Sequence, residues 1–132
     1  MTVAIDTNVV VRLLTADEPS AHAKARALVA SQEVYVSWTV LIETEWVLRV
    51  TRYGFRRARI REALEGFLGL DTVRVADPLA AAEVLRRYGR GTDLADAVHV
   101  LTSVDCDRFV TFDRAAVARF RADPGPIPVT LP

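Results

Sequence analysis

Met1-Thr2-Val3-Ala4-Ile5-Asp6-Thr7-Asn8 opens the chain and carries its first change from an apolar run to polar residues. Val3-Ala4-Ile5 is a short apolar run. It stops abruptly at Asp6-Thr7-Asn8, and a second apolar run, 9–14, follows at once. Apolar residues closed off by polar ones read as a buried strand. Asp, Thr and Asn are good residues for the turn that starts a helix. Asp6 is therefore expected at the carboxyl end of a central strand, facing a helix amino terminus. In an open parallel sheet that edge is where ligands bind. Taken alone, Asp6 or Asn8 needs no role beyond capping, which is worth about 1 kcal/mol. Only other carboxylates at the same edge would give it more.

Working outward, residues 9–15 form a short helix, broken at Asp17-Glu18-Pro19-Ser20. Pro19 can start the next helix, to about Ala30. Val34-Tyr35-Val36 is a second strand, and Ser37 caps a long helix, 38–52, that is apolar over much of its circumference. Its only acids, Glu43 and Glu45, are two apart and point in different directions, so only one can face the end of the sheet. A further helix covers 55–68, and 72–75 is a third strand. Asp77-Pro78 starts a helix to about Tyr88, and 89–92 reads as a flexible loop. Asp93 opens a helix to about Val104. Residues 108–111 are a fourth strand ending in Phe112-Asp113, 115–121 a short helix, and 127–131 a fifth, edge strand. Strands alternating with helices indicate an α/β fold with a parallel sheet, since parallel strands need crossover helices.

Composition narrows the class. At 132 residues this is one domain, and 51% apolar content is ample for a core. No run approaches the roughly 20 apolar residues that span a bilayer, and the start lacks the pattern of a signal peptide. A cytoplasmic protein is expected. The single cysteine, Cys106, excludes an internal disulfide and any multi-cysteine metal site. Net charge is zero, so global electrostatics announce no nucleic-acid binder. The distribution is less even: 16 of the 17 basic residues are Arg, and six of these fall within 49–61. Arg49, Arg52, Arg56 and Arg57 form either a solvated face or a strip for RNA or protein, since a guanidinium can bind two phosphate oxygens at once.

Two strands end in aspartate, Ile5-Asp6 and Phe112-Asp113. Asp93-Leu94-Ala95-Asp96 sits at a helix start, with both carboxylates on roughly one face, and Glu43 lies early in the helix after the second strand. In one parallel sheet these loci map to the same edge. Asp93 and Asp113 are natural caps, and Glu43 could be a surface acid. Asp96 is harder to dismiss, lying between Ala95 and Ala97 in an apolar helix. Gathered carboxylates repel and raise one another's pKa values, so such a cluster calls for a cation. Oxygen ligands without a Cys or His set point to Mg²⁺ or Mn²⁺. That suits phosphodiester hydrolysis by metal-activated water.

Asp6-Thr7-Asn8, Glu43, Asp93-Leu94-Ala95-Asp96-Ala97 and Phe109-Val110-Thr111-Phe112-Asp113 together resemble the PIN domain, and more narrowly the VapC-type toxins of bacterial toxin–antitoxin pairs. The likeness covers essentially the whole chain in order and spacing; no single motif is specific, but the four together are. It implies a single PIN-like domain, 1–132, built as a three-layer sandwich with a central, mainly parallel five-stranded sheet flanked by helices. It also implies a Mg²⁺-dependent endoribonuclease, a homodimer, and inhibition by a cognate antitoxin. The family's acidic positions fall on Asp6, Glu43, Asp96 and Asp113, with Asp93 at a more variable one. Asp6, Asp96, Asp113 and Asp93 would hold the metal, supported by Thr7, Asn8 and Thr111.

Two other classes compete. An aspartate-based phosphatase or a phosphoryl-receiver domain also uses acids at strand ends. The phosphatase motif wants Asp-x-Asp where this chain has Asn8, and both want a lysine near the site, whereas Lys24 is the only lysine. A non-catalytic interaction module would use the acids as caps and the apolar helix as its interface. Trp38, Leu41, Ile42, Trp46 and Val47, with Phe55, Ile60, Leu64 and Phe67 on the next helix, make a dimer face or an antitoxin groove if they are not all claimed by the core.

Overall fold

The structure is a computed structural model that describes residues 1–132. The chain divides into two compact units, Met1–Ala81 and Ala82–Pro132.

In the first unit, β1 (Thr2–Ala4) leads through α1 (Thr7–Thr15) and α2 (Pro19–Ser31) to β2 (Glu33–Tyr35). From there α3 (Trp38–Val50) and α4 (Arg57–Leu68) lead to β3 (Val73–Arg74). The three strands pair in parallel in the order β1-β2-β3, with Val3 opposite Val34 and Val34 opposite Val73. Both crossovers step the same way across the sheet. Right-handed connections then put both helix pairs on one face, where α1 packs against α2 and α3.

Local sequence explains the boundaries. Asp6 accepts from Val9 N at the start of α1, and Ala16, at φ 54°, ends that helix with its N–H on Arg12 O. Pro19 occupies the first turn of α2, where its missing N–H costs nothing. Ser37 Oγ accepts from Val40 N to start α3. Leu48, Ile60, Leu64 and Phe67 are buried with Val10, Val34 and Val36, so α1, α3 and α4 join the strands in this unit's core. Full burial of each such large side chain contributes about 1.5–3 kcal/mol.

After α5 (Pro78–Gly89) the second unit holds α6 (Leu94–Leu101), β4 (Phe109–Val110), α7 (Arg114–Ala122) and β5 (Val129–Thr130). Val100, Phe120 and Ile127 form a small core with Leu101, Phe109 and Val129 against it. Arg87 is almost fully buried and fastens the carboxyl-terminal loop. It donates to Asp123 O at 2.6 Å, to Pro124 O at 2.8 Å and to Glu83 Oε1 at 2.8 Å, with its guanidinium over the Phe120 ring.

Three expectations are corrected. The five strands form a three-stranded sheet and a separate parallel pair, β4-β5, rather than one five-stranded sheet. A sheet is defined by its ladder, and β4 and β5 are two residues each; Pro128 has no N–H to extend the pairing. The helix expected to reach Val104 ends at Leu101: Thr102 leaves the helical conformation at φ −101° and ψ 3°, and Ser103 N turns onto Val100 O, closing a tighter turn. The 89–92 loop is pinned, by Gly91 N on Tyr88 O and Thr92 N on Arg87 O, each at 3.0 Å.

Candidate active site

In the first unit, β1 delivers Asp6 to the head of α1, exposed, with Oδ1 accepting from Val9 N at 3.1 Å. The capping role is therefore real and occupies one oxygen. Thr7, the next residue, is buried, and its Oγ1 donates to Glu43 Oε1. That bond joins the Asp6 turn to the second turn of α3. Asn8 is exposed one residue further on.

The two acids of α3 divide as their spacing requires. Glu45 is 4% exposed and accepts from Arg49 Nε at 2.7 Å and Nη2 at 3.2 Å. Glu43 is exposed and bonded to Thr7. The fold thus brings Glu43 to the Asp6 turn and commits Glu45 to an ion pair. The arginine strip is also divided. Arg49 serves Glu45, and Arg52 pairs with Asp17 at 2.7 Å. Asp17 also accepts from Tyr53 and Thr15, and these hydrogen bonds, together with Arg52, hold its carboxyl well below the usual range. Arg56 is exposed just before α4, and Arg57 is half-buried in its first turn.

In the second unit Asp93 and Asp113 lie near enough to Asp96 for their charges to act on it. Asp93 caps α6, its Oδ1 accepting from Asp96 N at 3.2 Å. Asp113 caps α7, its Oδ1 accepting from Ala115 N at 2.9 Å and Ala116 N at 3.2 Å. Asp113 N donates to Thr111 Oγ1 at 3.0 Å, so Thr111 fixes the turn that carries the acid. Asp96 caps nothing and is half-buried. Burial first, then the charges of Asp93 and Asp113, push its carboxyl above the ordinary range, while His99 opposes them. His99 itself is exposed and stacks on Phe109, ring centroids 6.2 Å apart.

No group of three or more His, Cys, Asp or Glu side chains stands close enough to hold a metal ion. Each capping aspartate has taken the backbone N–H groups within its reach. The donor set nevertheless fits a hard divalent cation. It is all oxygen, and a partly desolvated carboxylate with like charges beside it is the group a cation relieves.

Residues 3–121 match the PIN domain family. The chain belongs to that family. PIN domains are typically metal-dependent nucleases, and their metals are divalent. The match runs through both compact units and includes Asp6, Glu43, Asp93, Asp96 and Asp113. No curated protein matches the chain. No helix of this PIN domain is long and apolar enough to cross a membrane.

Sequence reasoning gave no weight to Arg90 and Arg119. They are 29 positions apart, yet Arg119 Nη1 donates to Arg90 O at 3.2 Å. Only Gly91, between Arg90 and Thr92, hinted at a special backbone there, and its φ is +111°.

Proposed function

We propose that this PIN domain is a Mg²⁺-dependent endoribonuclease and the toxin of a VapC-type toxin–antitoxin pair, acting in the cytoplasm. The observation that carries the nuclease reading is the state of Asp96, half-buried and pressed by two neighbouring carboxylates in a family of metal-dependent nucleases. Asp96, Asp113 and Asp93 would hold the cation together with Asp6. Glu43, oriented by Thr7, would orient the attacking water. A bound Mg²⁺ supplies a water of lowered pKa and a positive charge for the phosphorane-like transition state. The chain's own part is to fix these oxygens. Thr111 holds the Asp113 turn, the Asp93 cap holds the first turn of α6, and the Thr7 bond holds Glu43. Arg56, exposed beside α4, is a candidate phosphate contact.

The partner reading rests on exposed apolar side chains of α3. Leu41 and Leu48 go into the core, but Trp46 and Val50 are 51% and 50% exposed. A homodimer across this face, and an antitoxin segment that is apolar and basic, are the partners proposed. The basic residues would answer the carboxylates.

The test is cleavage of single-stranded RNA by the purified protein. Activity should require Mg²⁺ or Mn²⁺ and be lost in Asp6→Asn, with sedimentation showing a dimer. Cleavage that persists in Asp6→Asn or in excess chelator would defeat the nuclease assignment. A monomer at tens of micromolar would defeat the dimer alone.

A further inference from the structure

The second unit carries a pocket of about 470 Å³ that none of the roles above uses, lined by Arg90, Thr92, Ala115, Ala118, Arg119 and Asp123 among others. Its floor is α7, where Ala115, Ala118 and Ala122 recur at helical spacing and leave a shallow trough. Its wall is the pinned loop that precedes α6. Two guanidinium groups stand over this trough in different states from their neighbours. Arg86 and Arg87 are saturated by Glu83, Asp123 and the carbonyls of the carboxyl-terminal loop. Arg119 has no carboxylate within ion-pair distance and uses one N–H on Arg90 O. Arg90 has a single long pairing, 3.9 Å to Asp123, and its side chain is 66% exposed.

The backbone is shaped around Arg119. Gly91 has a φ of +111°, a conformation that favours glycine. A Cβ there would lie 2.6 Å from Arg119 Nη1 and 2.8 Å from its Cζ. The guanidinium therefore lies flat against the glycine, leaving most of its five donors for another group. The one acid in the pocket, Asp123, is already neutralised: hydrogen bonds from Arg86 and the nearby Arg87 and Arg90 charges hold its carboxyl below the usual range. What remains is a concave site with two underused planar cations, the donor set that binds phosphate oxygens in pairs.

Its position ties it to the carboxylates. Thr92 immediately precedes Asp93, and Ala115 is the residue whose N–H Asp113 accepts. We infer that the Arg90–Arg119 pocket is a second phosphate subsite, taking the RNA backbone phosphate next to the one that is cut. This rests on the ribonuclease reading. It predicts that RNA is held by its backbone on the α7 side, independently of base identity.

The experiment measures binding of a labelled single-stranded RNA in EDTA, where no cutting occurs, and then KM with Mg²⁺. Arg90→Gln, Arg119→Gln and the double variant are compared with the wild type, each checked by its melting curve. Arg90→Gln removes only an exposed side chain, so at least one variant folds. Each single variant should bind about tenfold more weakly, and the slope of log affinity against log salt should fall by about 0.7 per arginine. KM should rise for an oligonucleotide, and rise less for a dinucleoside monophosphate, which has only the phosphate that is cut. An unchanged salt slope in the double variant overturns the subsite. So does competition by inorganic phosphate that the double variant abolishes while RNA binding stays as in the wild type; that would mark a free-phosphate pocket. The two readings fail separately. A wild type that binds RNA through Arg90 and Arg119 but never cuts it keeps the subsite and sinks the nuclease. A wild type that cuts RNA with the double variant its equal does the reverse.

Discussion

Asp6 and Glu43 stand exposed in the amino-terminal unit, whereas Asp96 in the carboxyl-terminal unit is half-buried with Asp93 and Asp113 beside it. The first pair is held by hydrogen bonds: Val9 N on Asp6, Thr7 Oγ1 on Glu43. In the second set Asp93 and Asp113 are fixed as caps, while Asp96 is half-buried and feels both of their charges. An acid secured by donors can be replaced by its amide without disturbing the fold. An acid squeezed by burial and like charge stores a cost that its amide would relieve. The two regions thus separate positioning from electrostatic strain, and substitutions can read them independently.

The largest effect should come from the acids themselves. Asp6→Asn and Asp96→Asn should each lower RNA cleavage about 10²- to 10³-fold or more, since each removes a negative charge proposed to hold the cation that stabilises the transition state. The contrast lies in stability. Asn caps a helix as well as Asp, so Asp6→Asn should unfold like the wild type without metal, while Asp96→Asn should be more stable. Two amides with equal stability would collapse the distinction between the units.

Next in size is the clamp that the carboxyl-terminal unit depends on. Arg87→Ala leaves two loop carbonyls without their donor, takes from Glu83 one of its hydrogen bonds while Arg86 keeps the others, and opens space over Phe120. Breaking a nearly buried charged network should cost about 3 kcal/mol. Urea unfolding of the full chain measures this. A loss below about 0.5 kcal/mol, as for an ordinary surface residue, would show that the loop is held by apolar packing of Phe120 and Ile127 instead.

Thr7→Val should have a smaller effect. The methyl replaces the hydroxyl in a buried position, so stability falls by about 1 kcal/mol, and cleavage should drop about tenfold, as when an outer partner of a ligand is removed. If cleavage instead falls as far as in Asp6→Asn, Thr7 is more than a positioning residue for Glu43.

The fold's elements were legible because the punctuation is local. Asp6, Ser37, Asp77 and Asp93 each accept from a backbone N–H at the helix start that their residue type announces. The apolar runs between them have the right period. The sheet's division was not legible, because whether short strands join one ladder depends on hydrogen bonds between segments, which no local pattern encodes. Within the site, the choice of Glu43 over Glu45 was open in the sequence, since both lie on one helix; the Thr7 and Arg49 contacts settle which faces the Asp6 turn. Arg49 and Arg52 looked alike with Arg56 in the sequence, and only the partners Glu45 and Asp17 distinguish them. Arg90 and Arg119 stayed hidden because their meeting depends on a glycine conformation and a helix face brought together by the fold.

The smallest effect is the most direct measure of the strain on Asp96. Its carboxyl is raised, so the folded protein holds that proton more tightly than the unfolded chain does. Folding stability from this group is therefore fully present below the ordinary aspartate range and is lost as pH rises through the raised value. Glu83 and Asp123 act in the opposite sense. Their carboxyls are lowered, Glu83 first by its hydrogen bond from Arg86 and Asp123 likewise, so their contribution is present above the ordinary range and lost on acidification. Both are substantially solvent-screened, which keeps that contribution small. The comparison that isolates Asp96 is the difference in unfolding free energy between Asp96→Asn and the wild type, in EDTA, from acid to neutral pH. The arginine-paired acids cancel in this difference. It should grow in favour of Asp96→Asn as pH rises, and titrating Mg²⁺ at neutral pH should return the advantage to the wild type, because only the charged site gains from binding. A difference that is flat with pH, or a wild type whose melting temperature ignores millimolar Mg²⁺, would mean that Asp96 is not the strained carboxylate a cation relieves.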